Sequence, residues 1–356
     1  GEGAEIGRKR RRRSRSRRWE ENSRNVREAE GMHGMPWRDS VAAYTAPEFD
    51  LMAGTVAKVS VFQTTRKGGV LGFEDGGAAA PLSSSSSSSG RFPPSAAPSS
   101  PLLFMPFWEW QMEFMKSELT NLRPSSTVTP SGVSVGYNEN RSKGARIVNH
   151  CYASDEYRKI RMTYYDAGDS VQVFNSLWYP QLKYDLPILG IDLLAFGRQR
   201  YLTVVDFQPI HATEGEHASR YERALQSLRQ PYRSLQGTMT DRFYDSARHF
   251  SSQMLFGRFE DEAAVRDELW PACRGYTAAH LDLVRGCVPD ESREATERSR
   301  GGQRRYDNYS ARRDPAHALF KRIFGEEWAD AYVYDFLFDL SEPGEEEELS
   351  HGDVKR

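Results

Sequence analysis

The stretch Thr163-Tyr-Tyr-Asp166-Ala-Gly168-Asp-Ser-Val171-Gln-Val-Phe-Asn175-Ser-Leu-Trp-Tyr179 decides how the chain folds. Asp-Ala-Gly-Asp between two runs rich in β-branched and aromatic residues signals a hairpin, because Gly168 reaches φ > 0 without a Cβ penalty. In the second run Val171, Val173, Asn175 and Leu177 fall on one face, and Gln172, Phe174, Ser176 and Trp178 on the other. Working outward, segments 146–153, 159–165, 170–179, 187–196 and 201–207 all read as strands. Their connections are short and carry no helix, so the sheet is an antiparallel meander. Beyond Pro209 the period changes. Residues 219–228, 260–284 and 315–324 have apolar side chains at three- and four-residue spacing, and a last helix runs from 326 to about 338. An apolar-rich helix from 104 to about 122 precedes the strands. The expected class is α+β, with one core-forming domain over 101–341.

The rest of the chain differs in composition. There are 48 Lys and Arg against 50 Asp and Glu in 356 residues, a net charge of −2. Residues 1–18 hold nine basic and two acidic side chains, +7, which leaves −2 − 7 = −9 for everything after them. An acidic body disfavours nucleic acid as a partner, since phosphate neutralisation needs excess Lys and Arg. Residues 1–100 read as a disordered leader, with a basic run at 8–18 and a serine homopolymer at 83–89. Between these, 52–67 is small, hydroxylated and basic, the composition of an organelle transit peptide, with a featureless linker as the other reading. The basic run alone also suits a nuclear or RNA-binding arm. Because the chain begins with Gly, Met32, Met35 and Met52 are candidate translation starts. Residues 342–356 form an acidic tail. Cys151, Cys273 and Cys287 are far apart and make no C-x-x-C pair, so a zinc knuckle, an iron–sulfur cluster and a disulfide framework lack their ligands. No run of 18 apolar residues suggests a membrane span.

Signatures of nucleotide binding, zinc hydrolysis and serine hydrolysis are absent. What stands out is an acid inside an apolar run, Leu186-Pro-Ile-Leu-Gly-Ile-Asp192-Leu-Leu-Ala-Phe196. A carboxylate there is either paired with a strand Arg, turned to solvent, or kept neutral by burial and able to donate a proton near pH 7. Asp314, followed by Pro315 at the head of an apolar-periodic helix, is an N-cap, a role compatible with proton chemistry. Asn175 either binds a ligand amide or lactam, or satisfies backbone. His211 is expected at the surface. Phe107, Trp108, Trp110 and Phe114 read as core rather than a ligand platform.

The blocks Asn149-His-Cys-Tyr, Arg158-Lys-Ile-Arg161, Asp166-Ala-Gly-Asp-Ser-Val-Gln-Val-Phe-Asn-Ser176, Tyr184-Asp-Leu-Pro-Ile-Leu-Gly-Ile-Asp-Leu-Leu194, Val205-Asp-Phe-Gln-Pro209, Tyr306-Asp-Asn-Tyr-Ser-Ala-Arg-Arg-Asp-Pro-Ala-His317 and Phe324-Gly-Glu-Glu-Trp-Ala329 come in the order found in one family. Over about 149–340 the chain resembles the ferredoxin-dependent bilin reductases. That resemblance implies a three-layer α/β/α sandwich, with a central antiparallel sheet flanked by helices and an open-chain tetrapyrrole between the sheet and the C-terminal helices. It implies no bound metal, flavin or nicotinamide. Electrons come singly from reduced ferredoxin, an external donor, and protons from carboxylates, so bilin radicals are intermediates.

By the resemblance, Asp192 matches the family's proton-donating strand aspartate and Asp314 its second aspartate. Phycocyanobilin-forming members carry His at the position of Asn175 and Glu at that of Thr163, which argues against that product. The runs Asp166–Ser176 and Asp192–Gly197 most resemble the members that reduce biliverdin IXα by two electrons at the 15,16 double bond, giving 15,16-dihydrobiliverdin for phycoerythrobilin biosynthesis, and Ser310 and Ile191 depart from the Arg and Gly that phycoerythrobilin-forming members tend to carry there. Phycoerythrobilin- or phytochromobilin-type reduction, or a non-catalytic bilin carrier, are the alternatives. Arg161 and Ser310 are the expected propionate contacts. Ferredoxin is the expected partner, docking on a basic patch drawn from Lys183, Arg198, Arg200, Arg312 and Arg313. A monomer soluble in the plastid, handing its product to a second reductase, completes the expectation.

Overall fold

The computed structural model describes residues 102–211, 215–239 and 249–342. The leader, its transit-peptide and basic-arm readings, and the acidic tail beyond residue 342 lie outside the described residues.

Eight strands form one sheet: β1 (Arg123–Pro124), β2 (Tyr137–Asn140), β3 (Ala145–Ala153), β4 (Tyr157–Asp166), β5 (Val171–Pro180), β6 (Ile188–Phe196), β7 (Arg200–Gln208) and β8 (Leu255–Phe259). The order is β1-β3-β4-β5-β6-β7-β8, with β2 also on β3, and every pairing is antiparallel. The β4–β5 hairpin turns where the sequence requires it. Gly168 takes φ +64°, and its N–H donates to Asp166 Oδ1 at 2.9 Å.

The side-chain alternation of β5 assigns the two faces. Phe174 and Trp178, with no exposed surface, join the core on one side. Burying each contributes roughly 1.5–3 kcal/mol. That core is covered by α1 (Met105–Glu118), α2 (Gly215–Arg229) and α3 (Trp270–Gly286), the last entered through a π-helical turn at Val265–Leu269. Phe107 and Trp108 are buried there, as the core reading of that aromatic cluster requires. Val171, Leu177 and Tyr179 face the other way, under α4 (Arg293–Arg313), α5 (Pro315–Phe324), α6 (Glu326–Asp330) and a π-helical turn at Ala331–Leu337. The molecule is thus the three-layer sandwich implied by the resemblance.

Three short strands and one long helix escape the sequence reading. β1 and β2 sit in a polar stretch, and β8 has only five residues. The helix α4 is missed because its inward positions, Ala295, Ser299, Gln303, Tyr306 and Ser310, keep helical spacing while most are polar or small. Periodicity in hydropathy cannot reveal a helix whose buried stripe is built that way. His211 also differs from expectation. It is half-buried, with Nε2 2.6 Å from Asp185 Oδ1 and Nδ1 3.1 Å from Arg305.

Candidate active site

Between the sheet and the α4–α5 layer lies a cavity of about 200 Å³. Its sheet wall includes Val171, Val173 and Leu177 of β5 and Leu194 of β6, and its helical wall includes Tyr306, Ser310, Asp314 and Leu319. Such a cleft, mostly apolar with a few converging polar groups, is the usual form of a small-molecule site.

Asn175 and Asp192 are direct cross-strand partners in the β5–β6 register. Asn175 Nδ2 donates to Asp192 Oδ1 at 2.9 Å. Thr163 is the partner of Asn175 on β4, and Arg161, two residues earlier, faces the same way. The Arg161 guanidinium donates from Nη1 to Thr163 Oγ1 at 2.8 Å and from Nη2 to Asn175 Oδ1. The Thr163 hydroxyl donates to Asn149 Oδ1 at 2.5 Å and lies 3.1 Å from the Tyr332 hydroxyl. A polar row therefore crosses the cavity floor from β3 to β6. From the helical side, Asp314 caps α5, its Oδ1 accepting from the Ala316 N–H at 2.8 Å, with Pro315 at the first helical position.

The electrostatics distinguish the two acids. Burial pushes Asp192 up to about 6, and the charge of Asp314 pushes in the same direction, while the Asn175 hydrogen bond and Arg161 pull it down. Burial also raises Asp314, against the Ala316 N–H and the charges of Arg161 and His317. Asp192 is therefore protonated in a usable fraction near neutrality, which suits a general acid. Tyr306 and Tyr332 are raised by burial and stay neutral donors.

All five residues singled out in the sequence line this cavity: Asp192, Asp314, Asn175, Arg161 and Ser310. Arg161 is fully buried at the floor, whereas a propionate contact would be expected at the rim. Asn149, Tyr332, Gln208 and His249 receive no site role from the sequence, and Thr163 enters there only as a position that separates products. Alternation on β4 could have placed Thr163 beside Arg161, but no local signal points to Tyr332. Among the residues considered for docking, Arg198 pairs with Glu262 at 3.3 Å and Lys183 approaches Glu291 at 3.8 Å. Arg313 lies over the Tyr309 ring, 4.1 Å from its centre, while Arg200 and Arg312 are exposed. Among the described residues no cluster of His, Cys, Asp and Glu is placed to hold a metal, and no helix is long and apolar enough to cross a membrane.

On a three-layer sandwich, a strand aspartate held by a cross-strand asparagine is thus faced by a helix-capping aspartate across an apolar cleft. The family model described as ferredoxin-dependent bilin reductase matches residues 115–339, and the chain belongs to that family. A relative from Gloeobacter violaceus named 15,16-dihydrobiliverdin:ferredoxin oxidoreductase is 36% identical over 241 residues, covering 68% of this chain and 97% of its own. A protein of the same name from Nostoc punctiforme is 37% identical over 242 residues, with the same coverage. The crystal structure of tomato phytochromobilin synthase in complex with biliverdin superposes with a TM-score of 0.59 at 21% identity. It covers 67% of this chain and 83% of the tomato chain, a likeness in fold.

Proposed function

We propose that this chain catalyses the ferredoxin-dependent two-electron reduction of biliverdin IXα to 15,16-dihydrobiliverdin. The observation that carries the reading is the Asn175–Asp192 pair on the cavity floor, opposite Asp314. Family membership and the name shared by the cyanobacterial relatives support the reaction and its regiochemistry.

The reaction adds two electrons, taken singly from two reduced ferredoxins, and two protons, so that C15 and C16 each gain a hydrogen. Asp192 gives a proton from below the pigment plane. Asp314, on the opposite wall, stabilises the protonated pigment and serves the later proton. Asn175 aligns Asp192 with a pyrrole lactam or an intervening water, and Ser310 offers a hydroxyl from α4. The residues supply protons and orientation, while the electrons need no resident redox group.

Ferredoxins are acidic, so docking requires local positive charge on an acidic body. Arg200 and Arg258 are exposed at adjoining positions on β7 and β8, close enough that the charge of Arg200 adds to partial burial in lowering Arg258. The sequence gives no sign of this pair, because β8 is too short to read as a strand. We assign this pair to the docking face. The plastid-leader reading of residues 1–100 rests on composition, and the monomeric state and product handover remain part of the same proposal.

The test is an anaerobic turnover of the full chain with biliverdin IXα, ferredoxin and a ferredoxin-reducing system, with products separated by chromatography. Dihydrobiliverdin as the end product supports the proposal. Phycoerythrobilin would replace it with a four-electron reaction. A spectral shift on mixing, with no change on reduction, would make the protein a bilin carrier.

A further inference from the structure

The most unusual group in the molecule is Arg161. It has no exposed surface, and no carboxylate of the described residues lies within ion-pairing distance of its guanidinium. Its Nε–H is buried without a hydrogen-bond partner. A buried cation without a touching anion is costly, and such a cost is ordinarily kept only where the charge has a use.

The contacts show what that use is. A guanidinium only donates, so the atom of Asn175 that faces Arg161 must be Oδ1. This fixes the amide. Its NH2 group is then turned to Asp192, where it donates to Oδ1. With Oδ1 occupied, Oδ2 is the oxygen of Asp192 left for a transferable proton. Asn175 cannot flip without setting its NH2 against the guanidinium, so the selection is permanent.

Charge balance gives the same residue a second effect. The cavity brings together one guanidinium and two carboxylates, and Arg161 acts on both Asp192 and Asp314 through space. The other titratable groups lining the cavity or acting on the two acids are Tyr165 of β4, Tyr306 and Tyr309 of α4, His317 of α5, Tyr332 of the π-helical turn and His249. The tyrosines stay neutral where burial raises them, and His317 is engaged with Asp330 at 2.6 Å. One fixed positive charge thus accompanies two negative ones, and neutrality in a desolvated site favours one proton held between the two acids.

We propose that Arg161 is a positioning residue for proton delivery: it locks the Asn175 amide so that Asp192 holds its proton on Oδ2, and it sets the cavity to carry one proton before pigment reduction begins. This rests on the bilin-reductase reading above and goes beyond it, because it takes Arg161 out of pigment anchoring.

The experiment uses the full chain with biliverdin IXα and its dimethyl ester as probes, comparing wild type with Arg161→Gln, Arg161→Lys and Asn175→Leu. Bound-pigment absorbance is titrated across pH without reductant, and single-turnover rates are measured with reduced ferredoxin. Arg161→Gln should move the titration midpoint up by about one unit. It should slow the single turnover about tenfold or more, while affinity for both pigments changes less than about threefold. Arg161→Lys keeps the charge and loses the fork, so the midpoint should stay within about half a unit while the rate falls. Asn175→Leu keeps Arg161 and removes the lock, and it should slow turnover as much as Arg161→Gln. An unmoved midpoint in Arg161→Gln would show a merely structural Arg161. If Arg161→Gln does not fold, a wild-type rate in Asn175→Leu or Arg161→Lys overturns the lock. A more than tenfold affinity loss for biliverdin but not for its dimethyl ester would make Arg161 a propionate anchor. A wild-type protein that does not bind biliverdin would remove the functional reading itself.

Discussion

Asp192 and Asp307 are both pushed up to about 6 by burial, yet they sit in regions built for opposite ends. Asp307 of α4 has both oxygens occupied. Oδ1 accepts from the Tyr179 hydroxyl at 2.8 Å and Oδ2 from the Leu340 N–H at 3.0 Å. Around it, Arg158 and Lys159 pair with Asp339 at 3.0 and 2.8 Å, clasping the segment after the π-helical turn to the sheet. Asp192 has one oxygen held by Asn175, and its other oxygen has no partner among the described residues, beside a cavity. A raised pKa records burial in both places. The unoccupied oxygen, and the space in front of it, is what separates a reacting group from a fastening.

The largest effect should therefore fall on Asp192→Asn. Losing a positioned general acid typically costs about 10²–10⁴ in rate, so pigment binding should persist while the single-turnover rate drops by at least about a hundredfold. Asp307→Asn should do the reverse. It disturbs a satisfied buried cluster, costing about 1–3 kcal/mol of stability by chemical denaturation, with turnover per folded molecule within about twofold of wild type. If Asp307→Asn stopped turnover without destabilising, or Asp192→Asn left the rate intact, the contrast would collapse.

Their shared elevation also has a thermal consequence. A carboxylate raised in the folded state from 3.8 binds its proton more tightly there than in the unfolded chain. Its contribution is full below about pH 4 and is lost as the pH rises through about 6. Asp206 extends the window upward. It is pushed up to about 7 by burial, while the Ser251 N–H at 2.8 Å and the Ser251 hydroxyl pull it down. The melting temperature should fall as the pH is raised from about 5 to about 8, and Asp206→Asn should flatten the upper part of that decline. Asp339, lowered by Lys159 and Arg158 against the opposing effect of burial, has finished titrating below this window. A melting temperature that rises from pH 5 to 8 would mean these acids are solvated.

The same contrast explains what the sequence disclosed. Asp192 is conspicuous because an apolar run surrounds it, and Asp314 because Asp-Pro before a periodic helix is a cap. Asp307, with its comparable shift, lies in α4, where small and polar residues form the buried stripe and leave no hydrophobic period to read. Strand alternation put Asn175 on the face of Val173 and Leu177, but the register that seats it against Asp192 depends on two hairpins at once. The role of Arg161 was the least legible. A cation in a strand reads as a ligand for anionic groups, and only burial beside Thr163 and Asn175 shows where its hydrogens go.

The smallest effect should come from Gly190, directly across the register from Asp206 and two residues before Asp192. A Cβ there would stand 2.5 Å from Gln208 Oε1 and 2.6 Å from its Cδ, so the amide must give way. That amide accepts the Tyr306 hydroxyl at 2.5 Å, and Tyr306 and Gln208 both line the cavity. Overpacking of this kind costs about 1–3 kcal/mol, here divided between folding and the shape of the pigment's seat. Nothing in the substitution touches the Asn175–Asp192 hydrogen bond. Gly190→Ala should then weaken biliverdin binding by about three- to tenfold, in line with about 1 kcal/mol. The pH dependence of bound-pigment absorbance should stay where wild type has it. A shifted pH profile would show that the seat and the acid are coupled through the β6 backbone, and that the free oxygen of Asp192 owes its position to the cavity wall as well as to Asn175.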